Sequence, residues 1–162
     1  MTGVTDTYVA LDLETTGLSP AADRILEIGA VKVIGGQIKE TYETLVNPER
    51  KISRRIEELT GITDEMAAGG MDTRKAVTEL VEFCEGLPLL GHNILFDYGF
   101  VRQNAMNWKL PFEKEGIDTL SIARTLFPQM EHRSLEALCS FYKIRQENAH
   151  RAVSDALSAM EL

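Results

Sequence analysis

Tyr8-Val9-Ala10-Leu11-Asp12-Leu13-Glu14 is a nearly continuous apolar run with two carboxylates set into its second half. Such a run reads as a β-strand buried on both faces, a central strand of a sheet. Side chains alternate along a strand, so Asp12 and Glu14 share one face with Tyr8 and Ala10, while Val9, Leu11 and Leu13 take the other. Two carboxylates on one face of a buried strand repel each other and lose hydration. A cation between them relieves both costs. The plainer explanation is a strand end that reaches solvent, and an isolated D-x-E does not decide between the two.

Outward from this strand, Ile25–Ile34 and Gln37–Val46 read as two more strands. The two-residue Gly35-Gly36 turn makes them antiparallel neighbours, and Asn47-Pro48 ends the run. Helices follow. Ser53 is placed to cap a short one through Leu59, and Thr73 a longer one with Ala76, Val77, Leu80, Val81 and Cys84 on its apolar face. Leu87–Leu90 and Gly116–Thr119 read as brief strands, the first leading into a helix over Ile94–Met106. Further helices are expected up to Phe127, from Ser134 through Tyr142, and from Arg151 to Leu162. Three strands first, then strands alternating with helices, predict a mixed sheet covered by helices, an α/β domain.

Two more acidic residues stand beside apolar helix faces. Asp97 follows Gly91-His92-Asn93-Ile94-Leu95-Phe96 and sits next to the stripe of Phe96, Phe100 and Val101. An acidic residue in a first helical turn is also favoured by the helix dipole, and alone Asp97 proves nothing. Asp155 borders the inward face of the last helix, beside Ala152 and Ala159. His150 precedes it by five residues, an offset of roughly 140° on a regular helix. The two side chains therefore converge only if His150 lies on the loop entering that helix. The conjunction is what counts: the carboxylates fall at the ends of core elements, where sheet-based sites gather. Hard oxygen ligands without soft ones select Mg²⁺ or Mn²⁺ over zinc.

The bulk numbers agree. The 162 residues, 44% hydrophobic and 26% charged, fit one domain over 1–162 whose core needs no disulfide. Cys84 and Cys139 each fall within an expected helix and read as small buried hydrophobes. Met1–Thr7 lacks the basic and apolar regions of a secretory leader, and no apolar run reaches membrane-spanning length. A soluble, cytoplasmic protein is expected. The formal net charge of −8 argues against a broad basic surface for nucleic acid. It leaves open an enzyme that meets phosphates through bound cations.

Three segments carry a resemblance. Leu11-Asp12-Leu13-Glu14-Thr15-Thr16-Gly17-Leu18, Gly91-His92-Asn93-Ile94-Leu95-Phe96-Asp97 and His150-Arg151-Ala152-Val153-Ser154-Asp155 resemble, in order, the three motifs of DnaQ-like 3′→5′ exonucleases in their histidine-containing (DEDDh) form. Leu59-Thr60-Gly61-Ile62-Thr63 and Ile117-Asp118-Thr119-Leu120 are similar to segments between those motifs. Within the superfamily the likeness is closest to the proofreading epsilon subunits of bacterial DNA polymerase III and the exonuclease domains of Gram-positive replicative polymerases.

The resemblance implies a ribonuclease H-like fold with a five-stranded mixed sheet. It implies that Asp12, Glu14, Asp97 and Asp155 hold two Mg²⁺ or Mn²⁺ ions and that His150 deprotonates the attacking water. It also implies that Thr15 and Thr16 approach the terminal nucleotide, partly by backbone, that Leu18 and Leu59 wedge or stack against terminal bases, and that Asn93 and Phe96 line the same pocket. The expected substrate is a single-stranded or frayed 3′ end, DNA before RNA, cut to nucleoside 5′-monophosphates in proofreading or repair. A polymerase subunit is an expected partner. The motifs themselves do not separate DNA from RNA, so an RNA-directed exonuclease of the same superfamily is the alternative. A catalytically idle interaction domain is disfavoured because all five catalytic positions are present. In this family the last helix usually continues beyond the point where this chain stops, so Leu162 is expected to fall inside a longer helix.

Overall fold

A computed structural model describes residues 6–120. Its strands are β1 (Tyr8–Thr15), β2 (Ile25–Ile34), β3 (Gln37–Leu45), β4 (Leu89–Gly91) and β5 (Gly116–Asp118). They form one sheet in the order β3-β2-β1-β4-β5. β1 pairs antiparallel with β2 and parallel with β4, so the mixed five-stranded sheet expected from the sequence is present, with β1 at its centre. Gly35 and Gly36 both take positive φ, 61° and 75°, which is the geometry of the tight turn joining β2 to β3.

The alternation read from β1 holds. Val9, Leu11 and Leu13 join Ile28, Ala30, Val77 and Phe100 in the main core, while Tyr8 and Ala10 pack with Val31, Val33 and Leu90 on the opposite face. The main core lies between the sheet and helices α3 (Thr73–Cys84) and α4 (Ile94–Asn107), which follow α1 (Arg54–Thr60) and α2 (Asp64–Ala68) along the chain. Cys84 is fully buried in that core, as its apolar context suggested, and burial pushes its thiol pKa up to about 11.

Several boundaries differ for local reasons. The cap of α3 is Asp72, whose carboxylate accepts from the Lys75 N–H at 3.2 Å, and not Thr73, which is already helical and turns its hydroxyl to the Asn47 carbonyl. α2, capped by Thr63, has only five residues, too few for a helical period to show in the sequence. β3 stops at Leu45, although the Val46 N–H still donates to the Leu26 carbonyl at 2.8 Å while Val46 also bridges Met71. β4 begins at Leu89, although the Pro88 carbonyl still accepts from the Val9 N–H at 2.9 Å. Among the described residues no helix is long and apolar enough to cross a membrane. The helices expected beyond residue 120, and Cys139, lie outside the described residues.

Candidate active site

The site grows from a mismatch in strand length. β4 pairs with β1 only at Val9 and Ala10 and ends at Gly91, so the second half of β1 runs past it. Backbone N–H groups alternate sides along a strand, and that of Val9 points toward β4; those of Leu11 and Leu13 therefore do so too. Past the end of β4 the N–H of Leu13 has no strand to meet. It donates instead to Asp97 Oδ1 at 3.1 Å. A buried N–H left unbonded is costly, so Asp97 satisfies the backbone where a strand would have done. Its carboxylate, 3% exposed, is thereby fixed at the residue between Asp12 and Glu14. Glu14 is buried too, and Asp12 is half-buried with its Oδ2 enclosed.

The turn from β4 into α4 aims Asp97. Asn93 takes the left-handed conformation, φ 63° and ψ 49°, and its N–H donates to Asp118 Oδ1 at 2.7 Å. The same oxygen accepts from Leu120 N at 3.0 Å, and His92 Nδ1 lies 2.8 Å from Thr119 Oγ1. Asp118 and Thr119 thus tie the start of α4 to the end of β5. Gly91 belongs to this joint as well: a Cβ there would stand 2.8 Å from the Leu11 carbonyl oxygen. The sequence offered Asp118 as part of a familiar segment but no role for it. Nor did it single out Glu27, which stands opposite Glu14 on β2 and is buried. Between these pairs the register shifts, leaving Leu26 as an extra residue that turns into a separate cluster with Ile52 and Ile62. Bulges of this kind re-aim side chains beside a site.

Beside Glu14 opens a cavity of about 360 Å³. Thr15, Thr16, Leu18, Leu59 and Phe96, five of the residues expected to meet substrate, line it. Asn93 is not among its lining residues; its left-handed backbone is engaged with Asp118 at the β5 end instead. Leu18 is 82% exposed and Leu59 48%, so neither is a core residue. Phe96 is half-buried and rests on Phe100, ring centroids 5.1 Å apart.

The loop bearing Leu18 is built around Asp23. Its carboxylate accepts from Thr16 Oγ1 at 3.2 Å and from Ser19 N at 3.0 Å, with Arg50 Nη1 3.8 Å away. Thr16 also accepts from Arg24 N at 2.9 Å, and Thr15 Oγ1 donates to the Gly17 carbonyl at 2.6 Å. Both threonine hydroxyls are therefore engaged within the loop. A Cβ at Gly17 would overlap the Asp23 carboxylate and push it out of its place in the loop.

Asp155 and His150 lie outside the described residues. Among the described residues, no group of three or more His, Cys, Asp or Glu side chains could by itself hold a metal ion. The side chains near the end of β1, Asp12, Glu14 and Asp97, are all carboxylates, hard-oxygen groups rather than soft ones.

The fold is a mixed sheet of ribonuclease H-like architecture, with carboxylates where its central strand outruns its neighbour and a cavity alongside. Residues 9–162 match the RNase_T exonuclease family, and the chain belongs to it. A DNA polymerase III of PolC type from Caldanaerobacter subterraneus subsp. tengcongensis is 37% identical over 155 residues, covering 96% of this chain and 11% of the relative. The chain thus spans about 11% of the length of the curated relatives it matches. Exonuclease X in complex with 5′ overhanging duplex DNA is similar at TM-score 0.72 and 28% identity, over 95% of this chain and 88% of that one. E. coli exonuclease I in complex with a dT13 oligonucleotide shares the fold at TM-score 0.81 and 22% identity, over 97% of this chain and 40% of that one.

Proposed function

We propose that residues 1–162 form one exonuclease domain that removes nucleotides from the 3′ end of single-stranded or frayed DNA, releasing nucleoside 5′-monophosphates. The observation that carries this reading is the bond from Leu13 N to Asp97 Oδ1. It fixes the middle motif's carboxylate against the strand that bears the first motif's pair. Asp12, Glu14 and Asp97, completed by Asp155, would hold two divalent ions. Bound there, such ions neutralise phosphate charge and activate water for in-line hydrolysis.

His150 is the base that takes the proton from the attacking water, the task imidazole suits near neutral pH. Leu18 and Leu59 flank the terminal base from the rim, and Phe96 closes the floor of the cavity. With both hydroxyls engaged in the loop, Thr15 and Thr16 face the nucleotide through their backbone. DNA as substrate is supported by the polymerase relatives and by the oligonucleotide and duplex DNA held by the similar structures. The matched relatives are far longer polymerases, which supports proofreading beside a polymerase in the cytoplasm.

The test is digestion of matched single-stranded DNA and RNA, labelled at either end, with Mg²⁺ or Mn²⁺. A 3′ label should be released first as a mononucleotide, a 5′-labelled strand should shorten progressively, and DNA should be cut faster than RNA. A blocked 3′ end and EDTA should each stop the reaction. Full activity in chelator, or rapid cutting of closed single-stranded circles, would overturn the proposal.

A further inference from the structure

Among the described residues lining the cavity, Arg55 is the one basic side chain and Glu14 the one acidic side chain. It sits on α1, whose orientation is fixed by the Ser53 cap and by Ile56, packed against the Leu26 cluster. Its neighbour Arg54 is occupied, with Nε 3.0 Å from Glu58 Oε1. Arg55 makes no hydrogen bond or ion pair among the described residues, and its side chain is exposed at the cavity wall. A strand entering here brings a phosphate with every nucleotide into a chain of net charge −8. Ions held by the carboxylates would meet the scissile phosphate, and a basic side chain at the cavity wall can replace the counterions of a neighbouring phosphate. A guanidinium presents five N–H donors in a planar fork that matches phosphate oxygens.

We propose that Arg55 is a substrate-binding residue that contacts a backbone phosphate of the strand whose 3′ end occupies the cavity. This rests on the exonuclease reading given above. A phosphate contact releases counterions, and each one contributes about 0.7 to the slope of log affinity against log salt for a single strand.

The experiment measures kcat and KM of the 162-residue chain on an oligothymidylate with a free 3′ hydroxyl, at fixed Mg²⁺ and rising KCl. In Arg55→Gln the slope of log(kcat/KM) against log[KCl] should flatten by about 0.7. KM should rise up to about fivefold, the range of one exposed charge contact, while kcat holds. Arg55→Lys should keep the slope. Arg54→Gln removes the same charge one residue away, outside the cavity, and should also keep it. If Arg55→Gln retains the wild-type slope, or if Arg54→Gln flattens it equally, the assignment is overturned. If the wild-type chain hydrolyses no strand with either metal, the exonuclease reading fails and Arg55 falls with it.

Discussion

Asp97 does two things with one side chain. It carries charge at the end of β1, and its Oδ1 accepts from the Leu13 N–H. The two roles separate by substitution. Asp97→Ala removes the acceptor from a buried N–H, which costs about 1–3 kcal/mol. Asp97→Asn keeps an oxygen acceptor and eases repulsion with Asp12 and Glu14. Thermal melts in EDTA should therefore show the alanine variant clearly destabilised and the asparagine variant at or above the wild-type Tm. Equal losses in both would mean that the hydrogen bond does not anchor Asp97. This anchoring was not legible in the sequence, where Asp97 was one acidic residue in a first helical turn. Its role depends on β4 ending at Gly91, three residues into a very short strand. The resemblance gave Leu18 a place against terminal bases, but its exposure becomes visible only with the Asp23-centred loop.

Among the elements, those with strong periodicity or defined turns were read nearly to the residue. β2 matches its expected bounds, and α1 keeps its Ser53 cap. What failed was choice between adjacent cap formers, Asp72 and Thr73, and detection of a helix of five residues. The joints between elements were also hidden, since the Asp118 contact with Asn93 depends on the parallel register of β4 and β5. The joint at Gly91 is tight: an added Cβ would meet the Leu11 carbonyl oxygen at 2.8 Å and Ile94 Cδ1 at 2.9 Å. A carbonyl in the central strand cannot yield without moving β1. Gly91→Ala should cost about 1–3 kcal/mol in urea unfolding and raise the Mg²⁺ concentration for half-maximal activity, because α4 and Asp97 shift with β4. Gly86→Ala, with open space around it, is the control and should leave the metal requirement unchanged. A Gly91→Ala protein with wild-type metal dependence would show that this joint does not set the site.

At the scale of the whole molecule, the chain carries a formal net charge of −8 and places Asp12, Glu14 and Asp97 at one end of its central strand. The α/β class and the mixed sheet were legible because the strand runs are long and apolar. The carboxylates were legible because burial makes acidic residues conspicuous. Substrate polarity and partner entered only through the resemblance to DnaQ-like exonucleases, since they are set by contacts outside the chain. We expect metal binding and proton transfer to separate cleanly. The decisive measurement is a calorimetric titration of Mn²⁺ into the wild type, Asp97→Asn and His150→Ala, with turnover recorded at each metal concentration. Asp97→Asn should lose metal affinity and turnover together. His150→Ala should bind metal like the wild type while turnover falls by roughly 10²–10⁴. Wild-type metal affinity in Asp97→Asn would contradict the carboxylate site, as would near-normal turnover or equally weakened metal binding in His150→Ala contradict the base.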